Sequence, residues 1–268
     1  MDGKPLDNKN NKKCVVVIPA YKKSFDSDEE KCVKKYEEVL NGEELFFIVP
    51  ETLDKSYYKT VFPNIGFVDF PDKYFKGITG YNKLMLSIDF YLMLSKYEYV
   101  LIAQPDAVIF RKENMLDYFI SKGFDYYGAP WIPERRIWEW VRVKNKSGKG
   151  SHISCAKKES QGLYMGNGGF SLRNISQCIK LIKEHSWRKI YWYIKRNEDI
   201  FFGLLGREGC NRCNFALADV ETGKEFALEY NIKESVEAGC IPFGVHGWSK
   251  YFDSYESMEE YLISKGVW

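Results

Sequence analysis

The sequence predicts an α/β protein: a mixed, mostly parallel sheet flanked by helices, in a single domain. Three observations predict it. Short apolar, β-branched runs alternate with stretches of helical periodicity, the rhythm of strand, helix, strand. Several of those runs end in proline and a polar group, as strands do where they deliver side chains to a crevice. The chain of 268 residues is 45% apolar and 28% charged, enough to bury a sizeable core.

Residues 1–12 carry little apolar content and are expected to form a disordered tail, with the folded part spanning 13–268. CVVVIPAY (14–21) reads as a buried first strand stopped by Pro19. A helix is expected over 27–40, because Cys32, Val33, Tyr36 and Leu40 share one face and Asn41-Gly42 follows. LFFIVP (45–50) and IGFVDF (65–70) read as the next strands. Gly80 precedes a long helical pattern over 81–95, and 99–103 is the following strand. The second half is less regular. DYYGAPW (125–131) reads as a short strand and turn, and 142–162 as a long polar loop able to close over a ligand. Helices are expected over 176–185 and 197–205, the latter with Asn197 as cap, and FGVHGW (243–248) reads as a late strand.

The net charge is only +2, which does not suggest a nucleic-acid binder. Aromatic residues make up 16% of the chain. Seven cysteines, an odd number at irregular spacing, and no apolar leader point to reduced thiols in a cytoplasm. Cys210 and Cys213 form a lone CxxC, weak as a zinc site without a second pair. No apolar run reaches the ~20 residues of a membrane span. SWRKIYWYIKRN (186–197), basic and aromatic, adds the reading of peripheral association with a membrane.

In YVLIAQPDAVIF (99–110) a carboxylate sits behind a proline at the end of a buried strand. Asp106 there either caps a turn or binds a divalent cation that bridges a diphosphate. His246, between glycine-flanked strand residues, is either a satisfied structural histidine or a ligand. Glu198 and Asp199 either complement a helix macrodipole or include a general base. Gly166-Asn167-Gly168-Gly169 has the wrong spacing for a P-loop and is either a turn or a place of close ligand approach.

Taken in order, VVVIPAY, YNKLMLS, YVLIAQPDAVIF, YYGAPW, GNGGFSLRN, NEDIFF and FGVHGW resemble a family long filed as a domain of unknown function and similar to the GT-A glycosyltransferases. The resemblance spans nearly the whole folded part and implies a nucleotide-binding half at about 13–130 and an acceptor-side half at about 131–268. It implies a GT-A-like (Rossmann-like) fold, a nucleotide-sugar donor and a metal held by an Asp-x-Asp motif. Gln104-Pro105-Asp106 stands in that place, so Asp106 keeps the metal role and Gln104 faces the ribose as a neutral group. The resemblance gives His246 as the second metal ligand, Mn²⁺ or Mg²⁺ as the ion, and Asp199, with Glu198 beside it, as the base of an inverting transfer. Pro19, Tyr21 and Thr52 would border the nucleotide, and Asn82 and Lys83 would face the base, ribose or diphosphate from the start of their helix. Asn167, Gly168, Gly169 and Trp131 would shape the acceptor side. The implied function is transfer of a sugar, with a UDP-sugar favoured, to a glycan, glycoprotein or lipid-linked acceptor in surface-polysaccharide or glycoconjugate synthesis, in the cytoplasm or at the inner face of its membrane. A non-catalytic sugar or nucleotide-sugar binding protein on the same fold is the alternative.

Overall fold

The computed structural model describes residues 13–135, 138–142, 155–159, 163–207 and 214–268. The expected tail (1–12) and the Cys210/Cys213 pair lie outside them. In chain order the strands are β1 (Cys14–Pro19), β2 (Glu44–Pro50), β3 (Gly66–Phe70), β4 (Tyr99–Ala103), β5 (Ala107–Ile109), β6 (Tyr126–Tyr127), β7 (Pro130–Arg135), β8 (Trp138–Arg142), β9 (Cys155–Glu159), β10 (Leu163–Met165), β11 (Phe170–Asn174), β12 (Ala227–Leu228) and β13 (Gly244–His246). The helices are α1 (Ser27–Val39), α2 (Ser56–Val61), α3 (Gly77–Met85), α4 (Ile88–Met93), α5 (Leu116–Ser121), α6 (Ile175–Glu184), α7 (Trp187–Ile194), α8 (Glu198–Arg207), α9 (Val220–Phe226), α10 (Ile232–Glu237) and α11 (Tyr255–Ser264).

The principal sheet runs β3-β2-β1-β4-β11-β6. Its first four strands are parallel, and β11 is antiparallel to both β4 and β6. Strands β1 and β4 are buried along their whole length, which is why they read as continuous apolar runs rather than alternating ones. After Ala103 the chain leaves this sheet through Gln104-Pro105-Asp106 and enters a smaller one, β12-β13-β5, with its own core of Val108, Phe110, Val245, Trp248, Met258 and Leu262. That change of sheet explains why the apolar pattern resumes after Asp106: the proline and the aspartate sit in the turn between two sheets. Tyr36, fully buried on α1, donates its hydroxyl to the carbonyl oxygens of Gln104 (2.8 Å) and Ala107 (2.5 Å) and braces that turn.

Helix α1 begins where the sequence indicates, with Asp26 and Glu29 forming a capping box. The expected helix over 81–95 is instead two helices, α3 and α4, separated at Leu86-Ser87. The break is stabilised from outside the local pattern: Tyr91 donates its hydroxyl to the carbonyl of Met85 (3.0 Å). Helix α3 also starts earlier than expected, at Gly77. Gly80 lies inside it because the carbonyls of Lys73 and Tyr74 approach to 2.8 and 2.9 Å from where a Cβ would stand. The long loop expected over 142–162 contains a strand, β9, paired antiparallel with β8; residues 143–154 and 160–162 lie outside the described residues. Among the described residues no helix is long and apolar enough to cross a membrane.

Candidate active site

The strand ends converge as the prolines suggested. Pro19 ends β1, Gln104 to Asp106 follow β4, and a cavity of about 670 Å³ opens there. Pro19, Tyr21, Gln104 and Asp106 line one part of it. Asn167, Gly168 and Gly169 line another, brought in because β11 pairs with β4: the N–H of Gln104 donates to the carbonyl of Gly169 (2.8 Å). Glu198 and Asp199 enter from the first turn of α8, Trp131 from β7 and His246 from the end of β13. Two expected residues do not line the cavity. Thr52 donates its N–H (3.2 Å) and hydroxyl (2.6 Å) to Asp72. Lys83 lies on the exposed side of α3, two turns from where its helix begins. Asn82 does reach the cavity, but its Nδ2 donates to the carbonyls of Ile194 (3.2 Å) and Arg196 (3.0 Å), so it ties α3 to the end of α7 rather than marking a helix N-terminus.

His246 Nε2 stands 3.4 Å from Asp106 Oδ2. It is buried and makes no hydrogen bond within the chain. Burial works against charge on His246, but its contact with Asp106, reinforced by Glu229, raises its pKa above the usual imidazole value. Partial desolvation by the cavity walls works against charge on Asp106, whose side chain is 55% exposed, and the contact with His246 outweighs it and holds the carboxyl below the usual range. On the other side of the ring, Nδ1 lies 3.0 Å from Asn167 Nδ2 and 4.0 Å from Glu229 Oε1. Asn167 Oδ1 is occupied by the N–H of Gly169 (2.9 Å), so an amide donor faces Nδ1, whereas Glu229 favours a proton there. The two neighbours pull the tautomer in opposite directions.

The glycines of GNGG are explained by what crowds them. A Cβ on Gly168 would overlap the Glu198 carboxylate, and one on Gly169 the His246 ring. Glu198 itself pairs with Arg173 Nη2 (2.9 Å); both side chains are buried, and Arg173 also donates to Tyr91 Oη (3.2 Å) and Ser171 Oγ (3.0 Å). The glycine motif therefore packs against a buried ion pair on one side and the histidine on the other.

A buried, unpartnered imidazole nitrogen next to a carboxylate oxygen is a donor set that suits a divalent cation. Among the described residues no cluster of three or more His, Cys, Asp or Glu could hold a metal, so Asp106 and His246 could offer a cation two protein ligands at most, and others would have to come from a bound molecule. Residues that sequence reasoning passed over include Tyr74, Tyr81, Lys22, Glu29, Glu229 and Tyr230. Tyr81 opens the YNKLMLS segment and could have been singled out with it; nothing around Glu229 marks it. Cys14, Cys32 and Cys178 are free and buried, and burial pushes the Cys178 thiol up to about 12, which makes these thiols inert.

Residues 64–246, more than half of the chain, match the family described as "Protein of unknown function (DUF5672)". The chain belongs to this family. No curated protein matches this DUF5672 sequence. Solved structures similar to it include the mannosyltransferase Ktr4p from S. cerevisiae in complex with GDP (12% identity, 79% of this chain and 68% of that one, TM-score 0.46). Another is core-mannan synthase A from Aspergillus fumigatus in its Mn/GDP form (10% identity, 75% and 72%, TM-score 0.43). A third is a glycosyltransferase involved in the glycosylation of the major capsid of PBCV-1 (12% identity, 93% and 99%, TM-score 0.44).

Proposed function

We propose that the protein is a GT-A-like glycosyltransferase that moves a sugar from a nucleoside-diphosphate sugar to an acceptor hydroxyl with inversion. The observation that carries this reading is the convergence, in one cavity, of an orphaned His246 Nε2 beside Asp106 with Asp199 on the facing helix. The motifs quoted above supply the order in which these groups occur along the chain. Asp106 and His246 would hold Mn²⁺ or Mg²⁺, which when bound would offset charge on the leaving diphosphate. Pro19, Tyr21 and Gln104 border the nucleoside in the half formed by 13–130; a UDP-sugar is the first donor to try. Asn167, Gly168, Gly169 and Trp131 border the acceptor. Asp199 accepts the proton of the attacking hydroxyl as the new C–O bond forms and the anomeric bond to the diphosphate breaks, its electron pair leaving with the phosphate oxygen.

A second reading, a non-catalytic nucleotide-sugar binder, is favoured by Gln104 standing where an acid is expected. One experiment separates them. Thermal shifts across a panel of nucleotide sugars, with and without Mn²⁺, identify the donor, and turnover of that donor, including its hydrolysis, is then measured. Metal-dependent stabilisation with turnover supports the enzyme; stabilisation without turnover supports the binder. Asp106→Asn should abolish the metal-dependent part of the shift, and an unchanged shift in that variant rules out the metal assignment.

A further inference from the structure

We propose that α7 docks the protein on an anionic lipid surface. This goes beyond the transferase reading and does not depend on it. Helix α7 buries Ile190, Tyr193 and Ile194, packs Trp192 half-buried against the core, and exposes Trp187, Arg188, Lys189 and Tyr191. Trp187 is 61% exposed and Tyr191 49%, with their ring centroids 6.2 Å apart. Spacing places Trp187, Tyr191 and Lys195 on one face, with Arg188 beside it. Lys195 Nζ lies 5.6 Å from the Tyr191 ring, and the Arg196 guanidinium sits 3.6 Å over Trp192. Between His185 and Asn197 the chain has four cations and no acid.

An exposed tryptophan is costly in water, and here two large rings share an outward face with cations that have no acidic neighbour on their own segment. Lipid headgroups satisfy both needs at once: the rings settle at the level of the glycerol backbone, and the cations meet phosphate. A nucleic acid would call for a broader basic surface than a chain of net charge +2 offers. The helix is also placed to matter. The carbonyl of Ile194 at its end and that of Arg196 just beyond are held by Asn82 of α3, and the chain passes on through Asn197, which lines the cavity, to Asp199. A surface that holds α7 therefore holds the acceptor side of the cavity close to the bilayer.

The test is flotation of the full chain with vesicles of phosphatidylcholine alone or of phosphatidylcholine mixed with phosphatidylglycerol. The wild type is expected to float with the mixed vesicles and not with the neutral ones. Replacing both Arg188→Gln and Lys195→Gln should weaken partitioning roughly 25-fold, about fivefold for each cation. Trp187→Ala with Tyr191→Ala should weaken it by about tenfold or more, through lost ring burial. All four side chains are exposed, so circular dichroism and the melting temperature should match the wild type; a variant that loses flotation while folded supports the proposal. Absence of flotation, equal flotation with neutral vesicles, or variants that float like the wild type would overturn it. So would equally tight binding to soluble polyglutamate, which would make the face a site for acidic peptides.

Discussion

Glu198 and Asp199 are adjacent, and the structure assigns them different surroundings. Glu198 is committed to Arg173 in a pair buried on both sides. Removing one partner of such a pair strands the other charge, so Glu198→Ala should cost about 3–5 kcal/mol in a urea titration. Any fall in its turnover then follows from misfolding. Asp199→Asn should behave in the opposite way: turnover falls by about 10²–10⁴-fold, the worth of general-base catalysis, while the melting temperature stays put. If product NMR shows a retained anomeric configuration, no base of this kind is needed and the Asp199 assignment fails. Glu229 is the residue that the sequence concealed. Its carboxylate is the only one of the His246 neighbours named here that favours a proton on Nδ1, which leaves Nε2 its lone pair. Glu229→Gln should therefore weaken Mn²⁺ binding by about tenfold or more, read by calorimetry without any substrate. Unchanged affinity would mean that Glu229 does not set the tautomer of His246.

Elements were legible in the sequence where one local pattern decided them. Strands β1, β2 and β4 are continuous apolar runs ended by turn signals, and α1 has both a cap and a clean face; these emerged within a residue or two of expectation. The division of 81–95 into α3 and α4 was not legible, because the group that receives the broken end, the Tyr91 hydroxyl, acts through tertiary placement. The same holds for β11: FSLRN is too short and mixed for its period to show, and only its pairing with β4 makes it a strand. Lys83 was misplaced for a related reason. Gly80 looked like a boundary but is a point of close backbone approach within the helix, so the start of α3, and every residue counted from it, shifted. Helix α9 supplies a test at this scale. Asp219 caps it by accepting from the N–H of Thr222 (2.8 Å) and its hydroxyl (3.1 Å). Those bonds, the backbone one foremost, lower its pKa. A folded-state pKa below the unfolded one gives stability that is complete above the unfolded value and disappears as pH falls through the folded one. Asp219→Ala should thus cost about 1 kcal/mol at neutral pH. The gap from wild type should narrow as denaturation is repeated toward pH 3; a constant gap would remove the cap from the account.

At the scale of the whole molecule, two sheets and their cores meet at the Gln104-Pro105-Asp106 turn, which is why residues from opposite ends of the sequence share one cavity. The proline-ended strands announced that meeting point; the carboxylates around it were harder to weigh from sequence, because their partners are distant in the chain. Five carboxylates line the cavity: Glu29, Asp106, Glu198, Asp199 and Glu229. Cationic partners among the described residues include Lys22 on Glu29 (2.6 Å), Arg173 on Glu198 (2.9 Å) and Lys250 on Glu229 (2.8 Å). The consequence concerns encounter. A diphosphate arriving from solution would be turned away by five bare acids, since like charge at a cleft mouth slows association and salt relieves it. Pairing hides most of that repulsion, so the rate of donor capture in stopped flow should change little as ionic strength rises. Lys22→Gln uncovers Glu29 at the rim. Capture by that variant should be slow in dilute buffer and quicken as salt is added, a reversal that loss of a direct lysine–phosphate contact would not produce.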